Sequence, residues 1–189
     1  MDRRESDELI QRLYGAHAHR VLGYALRRGA SRADAEDLVI ETFLTCWRRL
    51  GDVDDPGLPW LLGIARRLLA NQRRATGRRA ELERKLVEGE PLTPGDAHGL
   101  EVDHELLRAL RDLREEDREV LLLTAWDGLS QAEAAETIGV SRNTFGTRLE
   151  RARANLRLLL ERQSAQIDLG RTEETVEEDA DENILMDTP

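Results

Sequence analysis

Residues 129–149 read LSQAEAAETIGVSRNTFGTRL, and this stretch decides the fold of the C-terminal part of the chain. Ser130, followed by Glu133 three residues later, has the spacing of a capping box at the start of a short helix. Gly139 can adopt the left-handed conformation that ends such a helix, and Ser141 can cap the next one. The pattern therefore predicts a helix-turn-helix.

The second helix of this motif has two unlike faces. At 100° per residue, apolar side chains recur along one arc of the helix: Phe145, Leu149, Ala152, Leu156 and Leu159. The opposite arc carries polar and basic side chains that suit a helix lying in a major groove, where Arg reads guanine and Asn reads adenine. The candidate DNA-binding residues are Arg142, Asn143, Thr144, Thr147, Arg148 and Arg151. The alternative is an ordinary helical hairpin with a solvated face.

A second basic element lies upstream, between Trp60 and Arg74. On a helical projection its apolar side chains occupy an arc of about 160°: Leu61, Leu62, Ile64, Ala65, Leu68 and Leu69. The remaining surface carries Trp60, Arg66, Arg67, Asn71, Arg73 and Arg74. Arginines with an amide and an aromatic ring at the edge suit phosphates and unstacked bases. A solvated arginine face on a core helix is the alternative.

The distribution of charge decides whether nucleic acid is an admissible partner. The 189 residues carry a net charge of −10, which would ordinarily count against DNA. By segment, residues 1–80 carry +4, residues 81–103 carry −5, residues 104–162 carry −1 and residues 163–189 carry −8. All the basic residues except Lys85 are arginines, so arginine abundance alone is no evidence for phosphate binding. The placement of the arginines on one face of each of two helices is evidence for phosphate binding.

The remaining sequence predicts an all-α chain. Helical periodicity extends from about Asp7 to Arg28 and resumes after Ser31, which has capping-box spacing to Asp34. We expect two small helical domains, residues 1–80 and 104–162, joined by a flexible linker over 81–103. Residues 163–189 are rich in acids and predict a disordered tail.

Composition also limits the function class. Cys46 is the single cysteine, and no apolar run is long enough to span a membrane, so we expect a cytoplasmic protein without membrane insertion. No nucleophile–base constellation, phosphate loop or metal-ligand spacing stands out. We therefore expect no enzymatic activity, no catalytic residues, no metal and no cofactor.

These motifs, in this order, resemble bacterial RNA polymerase sigma factors of the two-domain extracytoplasmic-function type, over about residues 5–162. Residues 34–49, DAEDLVIETFLTCWRR, are similar to the family's polymerase-binding helix, which docks on the clamp helices of the largest subunit. Residues 59–74, PWLLGIARRLLANQRR, look like the segment that melts and reads the −10 promoter element. Residues 103–162 resemble the domain that reads the −35 element.

The resemblance implies partners and contact residues. It implies RNA polymerase core and promoter DNA as partners, with an anti-sigma factor as a further candidate. The implied polymerase-binding residues are Asp34, Asp37, Leu38, Glu41, Thr42 and Trp47. The chain departs from the family pattern at Gly146, where a lysine is common, and at Arg67 and Asn71, where many relatives have Asn and Asp.

Two other function classes stay open on the sequence. A stand-alone helix-turn-helix regulator would bind duplex DNA without polymerase, but it leaves the Asp34–Arg49 helix and the Trp60–Arg74 face without a role. A helical protein-interaction adaptor would leave the turn at Gly139 unexplained. The acidic tail is either an inert solubilising segment or an autoinhibitory mimic of DNA that competes for the arginine faces.

Overall fold

The computed structural model describes the backbone of residues 3–84 and 104–184, and side chains over 3–75 and 105–163. Within these ranges the regular structure is helical, which confirms the all-α prediction. The helices are α1 (Arg3–Arg27), α2 (Arg32–Arg48), α3 (Leu58–Arg84), α4 (His104–Asp112), α5 (Glu115–Ala125), α6 (Gln131–Ile138) and α7 (Arg142–Ile184), with a short 3-10 turn at Leu50–Asp52. None of the described helices is long and apolar enough to cross a membrane.

Two compact units are present, and neither is continuous in sequence. The first unit joins Met1–Gly99 to Leu122–Gly146, and the second joins Leu100–Leu121 to Thr147–Pro189. Helix α6, the turn after it and the start of α7 up to Gly146 thus share a unit with the N-terminal helices, and α6 packs on α3. From Thr147 onward α7 belongs to the second unit. The linear boundaries at residues 80, 103 and 162 stay a prediction, and residues 85–103 of the expected linker lie outside the described residues.

The first unit is built around the packing of α1, α2 and α3. Gly29, with a φ of +81°, ends α1 in the left-handed conformation, and the Ser31 hydroxyl accepts a hydrogen bond of 3.1 Å from the Asp34 amide to begin α2. The core is apolar side chains at helical spacing: Val21, Tyr24, Ala25, Leu38, Val39, Phe43, Cys46, Leu61, Leu62, Ile64 and Ala65. These contacts fix the outward faces of α2 and α3.

The C-terminal helix is longer than the sequence predicts. α7 continues through the acidic segment to Ile184, whereas the composition predicts a disordered tail from residue 163. Glu, Ala and Leu are good helix formers, and no proline interrupts the segment before residue 184, so local propensity favours continuation of the helix.

Cys46 provides a test of the first unit's core. Burial raises the pKa of its thiol from 9.0 to about 11. We expect alkylation by iodoacetamide at pH 8 to be about 100-fold slower than for an exposed thiol. The thiolate is the reactive form, and raising the pKa by two units lowers its population at pH 8 about 100-fold. The same raised pKa means that this thiol's contribution to stability is complete below pH 9 and is lost between pH 9 and 11. Equal alkylation rates for the native and denatured chain would contradict the burial of Cys46.

Candidate nucleic-acid interface

The helix-turn-helix has the local geometry that its sequence predicts. The Ser130 hydroxyl accepts a 3.3 Å hydrogen bond from the Glu133 amide, and the Ser130 amide donates a 2.8 Å bond to the Glu133 carboxylate. Hydrogen bonds from the side chain and backbone of Ser130 hold the pKa of Glu133 below its ordinary value. Gly139 ends α6 with φ +71° and ψ +40°, in the left-handed region. Both the capping box and the glycine turn are therefore confirmed.

The start of α7 presents a polar face to solvent. The Ser141 hydroxyl accepts a 3.1 Å bond from the Thr144 amide and so begins the helix. Arg142, Asn143, Thr144 and Thr147 are exposed and Arg148 is half-buried. Opposite them the predicted apolar residues are inside: Phe145, Leu149 and Ala152 are buried, and Leu156 and Leu159 are half-buried. The division of this helix into an apolar and a polar face is confirmed.

Arg151 differs from the other predicted contacts because it is already engaged within the second unit. Its Nε and Nη2 donate to one carboxylate oxygen of Asp117, at 3.0 and 2.6 Å. The Asn155 amide donates to the other oxygen at 2.9 Å, and the Asp117 carboxylate is fully buried. Arg151 therefore neutralises a buried charge in the first turn of α5, which the sequence reasoning missed.

Gly146 leaves the exposed face of α7 without a side chain at one position. A Cβ built there would meet the Gln131 side-chain oxygen at 3.8 Å, an ordinary contact. We therefore expect Gly146→Ala to raise the free energy of unfolding by about 1 kcal/mol, because glycine is a poor helix former. Gly139→Ala is the matched control and should be destabilising, since its φ is +71°. Urea unfolding followed by circular dichroism measures both, and destabilisation by Gly146→Ala would contradict the helical placement.

The basic face of α3 is exposed as predicted. Arg66, Arg67, Asn71, Arg73 and Arg74 are exposed, Trp60 is half-buried, and the apolar arc is buried except for the half-buried Leu68. Some of the polar groups have hydrogen-bond partners within the protein. Arg67 Nε donates to the Gly63 carbonyl at 3.0 Å, Arg73 donates to the Arg28 carbonyl, and Arg74 donates to the Asn71 side chain. The Arg67 and Arg74 bonds lie within α3, whereas the Arg73 bond ties α3 to the residue after the end of α1.

The exposed face of α2 is more apolar than the sequence reasoning predicts. Asp34, Asp37 and Glu41 are exposed and Trp47 is 41% exposed, but Leu38 and Thr42 are fully buried. The structure thus removes Leu38 and Thr42 from the surface that a partner can touch.

The exposed face of α2 carries two apolar side chains that the sequence reasoning missed. Ile40 is 56% exposed and Leu44 is 45% exposed. With Trp47 they lie within an arc of about 60°. The spacing i, i+4, i+7 along one side of the helix was the available signal. We call Ile40, Leu44 and Trp47 the apolar stripe of α2.

Among the described side chains, no group of three or more His, Cys, Asp or Glu residues is placed to hold a metal ion. The arrangement instead offers two basic or polar helical faces and one apolar stripe, which are features of binding surfaces.

Two family models match the chain. The model for Sigma-70 region 2 matches residues 13–79, and the model for Sigma-70, region 4 matches residues 103–156. The first match contains the basic face of α3 and the apolar stripe of α2, and the second contains the helix-turn-helix.

Similar proteins and structures cover most of the chain. The ECF RNA polymerase sigma factor SigL of Mycobacterium tuberculosis is 33% identical over 81% of this chain and 89% of its own. The RNA polymerase sigma factor NccH of Alcaligenes xylosoxydans xylosoxydans is 33% identical over 85% and 88%.

Among solved structures, the sigma factor RpoE in complex with the anti-sigma factor NepR from Bartonella quintana has a TM-score of 0.62 and 25% identity. It matches over 80% of this chain and 96% of its own. CnrH in complex with the cytosolic domain of CnrY has a TM-score of 0.54 and 29% identity, over 85% of this chain and 90% of its own.

Proposed function

The chain belongs to the sigma-70 family as an extracytoplasmic-function sigma factor that directs RNA polymerase to promoters, and we propose that three separate surfaces perform this task. The observation that carries the proposal is the coexistence of a capped helix-turn-helix, with an exposed polar recognition face, and a second arginine-lined helix on one chain. A regulator that only binds duplex DNA has no use for the second helix.

We propose that the basic face of α3 captures the unpaired −10 strand. Arg66, Arg67, Arg73 and Arg74 supply positive charge for phosphates, and Asn71 supplies an amide for a base edge. Trp60, half-buried at the beginning of the helix, offers a ring on which an unstacked base can stack. Stabilising the separated strand in this way assists promoter melting.

The polar face of α7 is proposed to read the −35 element in the major groove. The residues proposed to contact the DNA lie near the N-terminus of the helix, as in other helix-turn-helix proteins: Arg142, Asn143, Thr144, Thr147 and Arg148. Arg151 has a different proposed role, because its guanidinium is committed to the buried Asp117. It orients the helix rather than reading bases.

The face of α2 is proposed to bind the clamp helices of the largest polymerase subunit. The apolar stripe supplies the centre of the contact, and the exposed carboxylates of Asp34, Asp37 and Glu41 supply a polar rim. An apolar centre with charged borders is the usual arrangement of a binding hot spot. Leu38 and Thr42 support this face from inside the core.

The remaining parts of the proposal concern context. We propose that the chain acts in the cytoplasm, has no catalytic activity of its own and needs no metal or cofactor, since polymerase supplies the chemistry. An anti-sigma factor is a proposed partner, because two similar structures are described as sigma factors bound to an anti-sigma factor or to a cytosolic domain. The division into residues 1–80 and 104–162 remains part of the proposal.

Binding to two labelled DNAs distinguishes the proposed role of α3 from that of α7. Once transcript mapping has defined a promoter, holoenzyme is titrated against its single-stranded −10 segment and against its −35 duplex. Arg67→Ala should weaken the first interaction and Arg142→Ala the second, each lowering the salt slope of its own interaction by about one unit. Arg48→Ala, an exposed arginine in the last turn of α2, is the control. Loss of both interactions from either variant would contradict the assignment.

A further inference from the structure

A cavity of about 160 Å³ lies in the first unit, bordered by α1, α3 and the turn that precedes α6. Pockets for drug-sized molecules have volumes of about 300 Å³ or more, so this cavity has room for a small ion rather than for a nucleotide. The residues proposed above to contact DNA or polymerase are not among those that line it. The lining residues are His19, Arg20, Arg27, Leu62, Trp126 and Asp127.

Three guanidinium groups contact Asp127, the carboxylate that borders the cavity. The Asp127 side chain is 2% exposed, and its two oxygens accept hydrogen bonds from Arg27 and from Arg28, the latter at 2.9 Å. Arg20 donates instead to the Asp127 backbone carbonyl, which carries no charge. Three cations around one carboxylate leave an excess of positive charge at this wall.

The charge of Arg20 also acts on two titratable groups near the cavity. Burial, and after it the charge of Arg20, lowers the pKa of His17. Hydrogen bonds with Ser130, and after them the charge of Arg20, lower the pKa of Glu133. Glu133 is exposed and its carboxylate accepts a 2.8 Å bond from the Ser130 amide, so it offsets the charge of Arg20 only weakly.

Two glycines leave the space that the cavity arginines occupy. A Cβ built at Gly23 would lie 2.8 Å from Arg27 Nη1, closer than side chains approach one another. A Cβ built at Gly128 would lie 3.5 Å from Arg20 Nη2, in ordinary contact. The position of the Arg27 guanidinium therefore depends on the absence of a side chain one turn earlier in α1.

Both cavity arginines keep donors for a further acceptor. A guanidinium has five N–H groups, and the bonds to Asp127 use one from Arg20 and one from Arg27. Leu62 is almost fully buried and Trp126 is half-buried, so these apolar walls restrict water and strengthen a charge-assisted hydrogen bond. An oxyanion with several acceptor atoms suits such donors, since arginine binds phosphate through paired N–H groups.

We propose that this cavity is a binding site for a small phosphate anion, which Arg20 and Arg27 hold between α1 and the turn before α6. A bound anion neutralises the excess positive charge and connects α1 to that turn, so it stabilises the first unit. The proposal does not depend on the roles assigned to α2, α3 and α7, and its failure would leave those roles unchanged.

The test titrates the full chain with inorganic phosphate and follows binding by isothermal calorimetry and by thermal unfolding. Sodium chloride at matched ionic strength accounts for general screening by salt. We expect saturable binding of about one phosphate per chain, and a melting temperature that rises with phosphate concentration and not with chloride.

Two variants change the cavity in different ways. Arg20→Gln removes a cation and should weaken phosphate binding about tenfold. Gly23→Ala keeps every charge, but its methyl group displaces the Arg27 guanidinium. Because alanine is the better helix former, this chain should be at least as stable as the unaltered one, and yet bind phosphate about tenfold more weakly. Arg12→Gln, which removes an exposed arginine of α1 outside the cavity, is the matched control and should bind phosphate as the unaltered chain does.

Each outcome decides for or against the cavity. Weaker binding by both variants, with the control unchanged and the helical circular dichroism intact, supports it. If Arg20→Gln loses helix, Gly23→Ala alone decides. Equal effects of phosphate and chloride on the unaltered chain overturn the proposal. Phosphate binding that Arg67→Ala removes and that Gly23→Ala leaves unchanged also overturns it, because the anion then binds the basic face of α3.

Discussion

Replacing Arg151 with alanine is expected to lower the free energy of unfolding by about 3 kcal/mol, because the substitution leaves the Asp117 carboxylate buried without its cation. Arg151 is itself half-exposed, so the cost arises on the Asp117 side, which has no access to solvent. Asn155 alone cannot neutralise the charge. Urea unfolding followed by circular dichroism gives the total, and peptide-resolved hydrogen exchange shows whether α4, α5 and α7 lose protection together.

Arg153 supplies a matched control two residues further along the same helix. It pairs with Glu150 at 2.9 Å, and both side chains are more than half exposed. Exposed pairs of this kind contribute about 0 to 1 kcal/mol, so Arg153→Ala should be nearly neutral. Similar small losses for both variants would show that water reaches Asp117, and would return Arg151 to the set of candidate base-reading residues.

Replacing Leu44 with aspartate is expected to weaken binding to RNA polymerase core about 100-fold while leaving the fold intact. Central apolar residues of an interface commonly account for 2 kcal/mol or more of binding, and a buried charge adds to the loss. Leu44 is 45% exposed on α2, so the free chain tolerates the charge. Competition against labelled unaltered chain for core polymerase measures the affinity, with thermal unfolding as the check on folding.

The control for this charge is Leu158→Asp, which changes a side chain that is 51% exposed on α7. Assayed against a fragment that contains only the clamp helices of the largest subunit, Leu158→Asp should bind as the unaltered chain does. Ile40→Asp should reproduce the loss caused by Leu44→Asp, because both residues belong to the apolar stripe. Normal binding by both stripe variants would move the polymerase contact away from α2.

Local rules explain why the helix-turn-helix was predictable. Ser130, Glu133 and Gly139 act within a few residues of one another, and their hydrogen bonds depend on backbone positions that the sequence specifies directly. The two faces of α3 were predictable for a similar reason, since helical periodicity alone separates its apolar and basic side chains.

Contacts between distant residues were not predictable from local patterns. Asp117 and Arg151 are 34 positions apart, and Asp127 and Arg28 are 99 positions apart. The sequence around Asp117 and around Asp127 is typical of a solvated helix terminus or turn. Only the packing of the helices buries the two carboxylates. The local pattern accordingly groups Arg151 with the base-reading residues.

The apolar stripe of α2 was predictable in part. The family pattern in residues 34–49 predicts that this helix binds polymerase, but the individual residues implied by it include Leu38 and Thr42, which the core encloses. Helical spacing already places Ile40, Leu44 and Trp47 on one side of α2. Which side of α2 is buried depends on its packing against α1 and α3. The sequence thus identifies the element, and tertiary packing selects its exposed face.

The most direct test of the central claim, that this chain selects promoters through its two DNA faces, is the sequencing of transcript 5′ ends made by core polymerase on a library of genomic fragments. With the unaltered chain we predict discrete start sites that share two sequence elements at a fixed spacing. Replacing Arg142, Asn143 and Arg148 together with alanine should abolish enrichment of the upstream element while the downstream element persists. Start sites no different from those of core polymerase alone, or an upstream element unaffected by the triple replacement, would contradict the account.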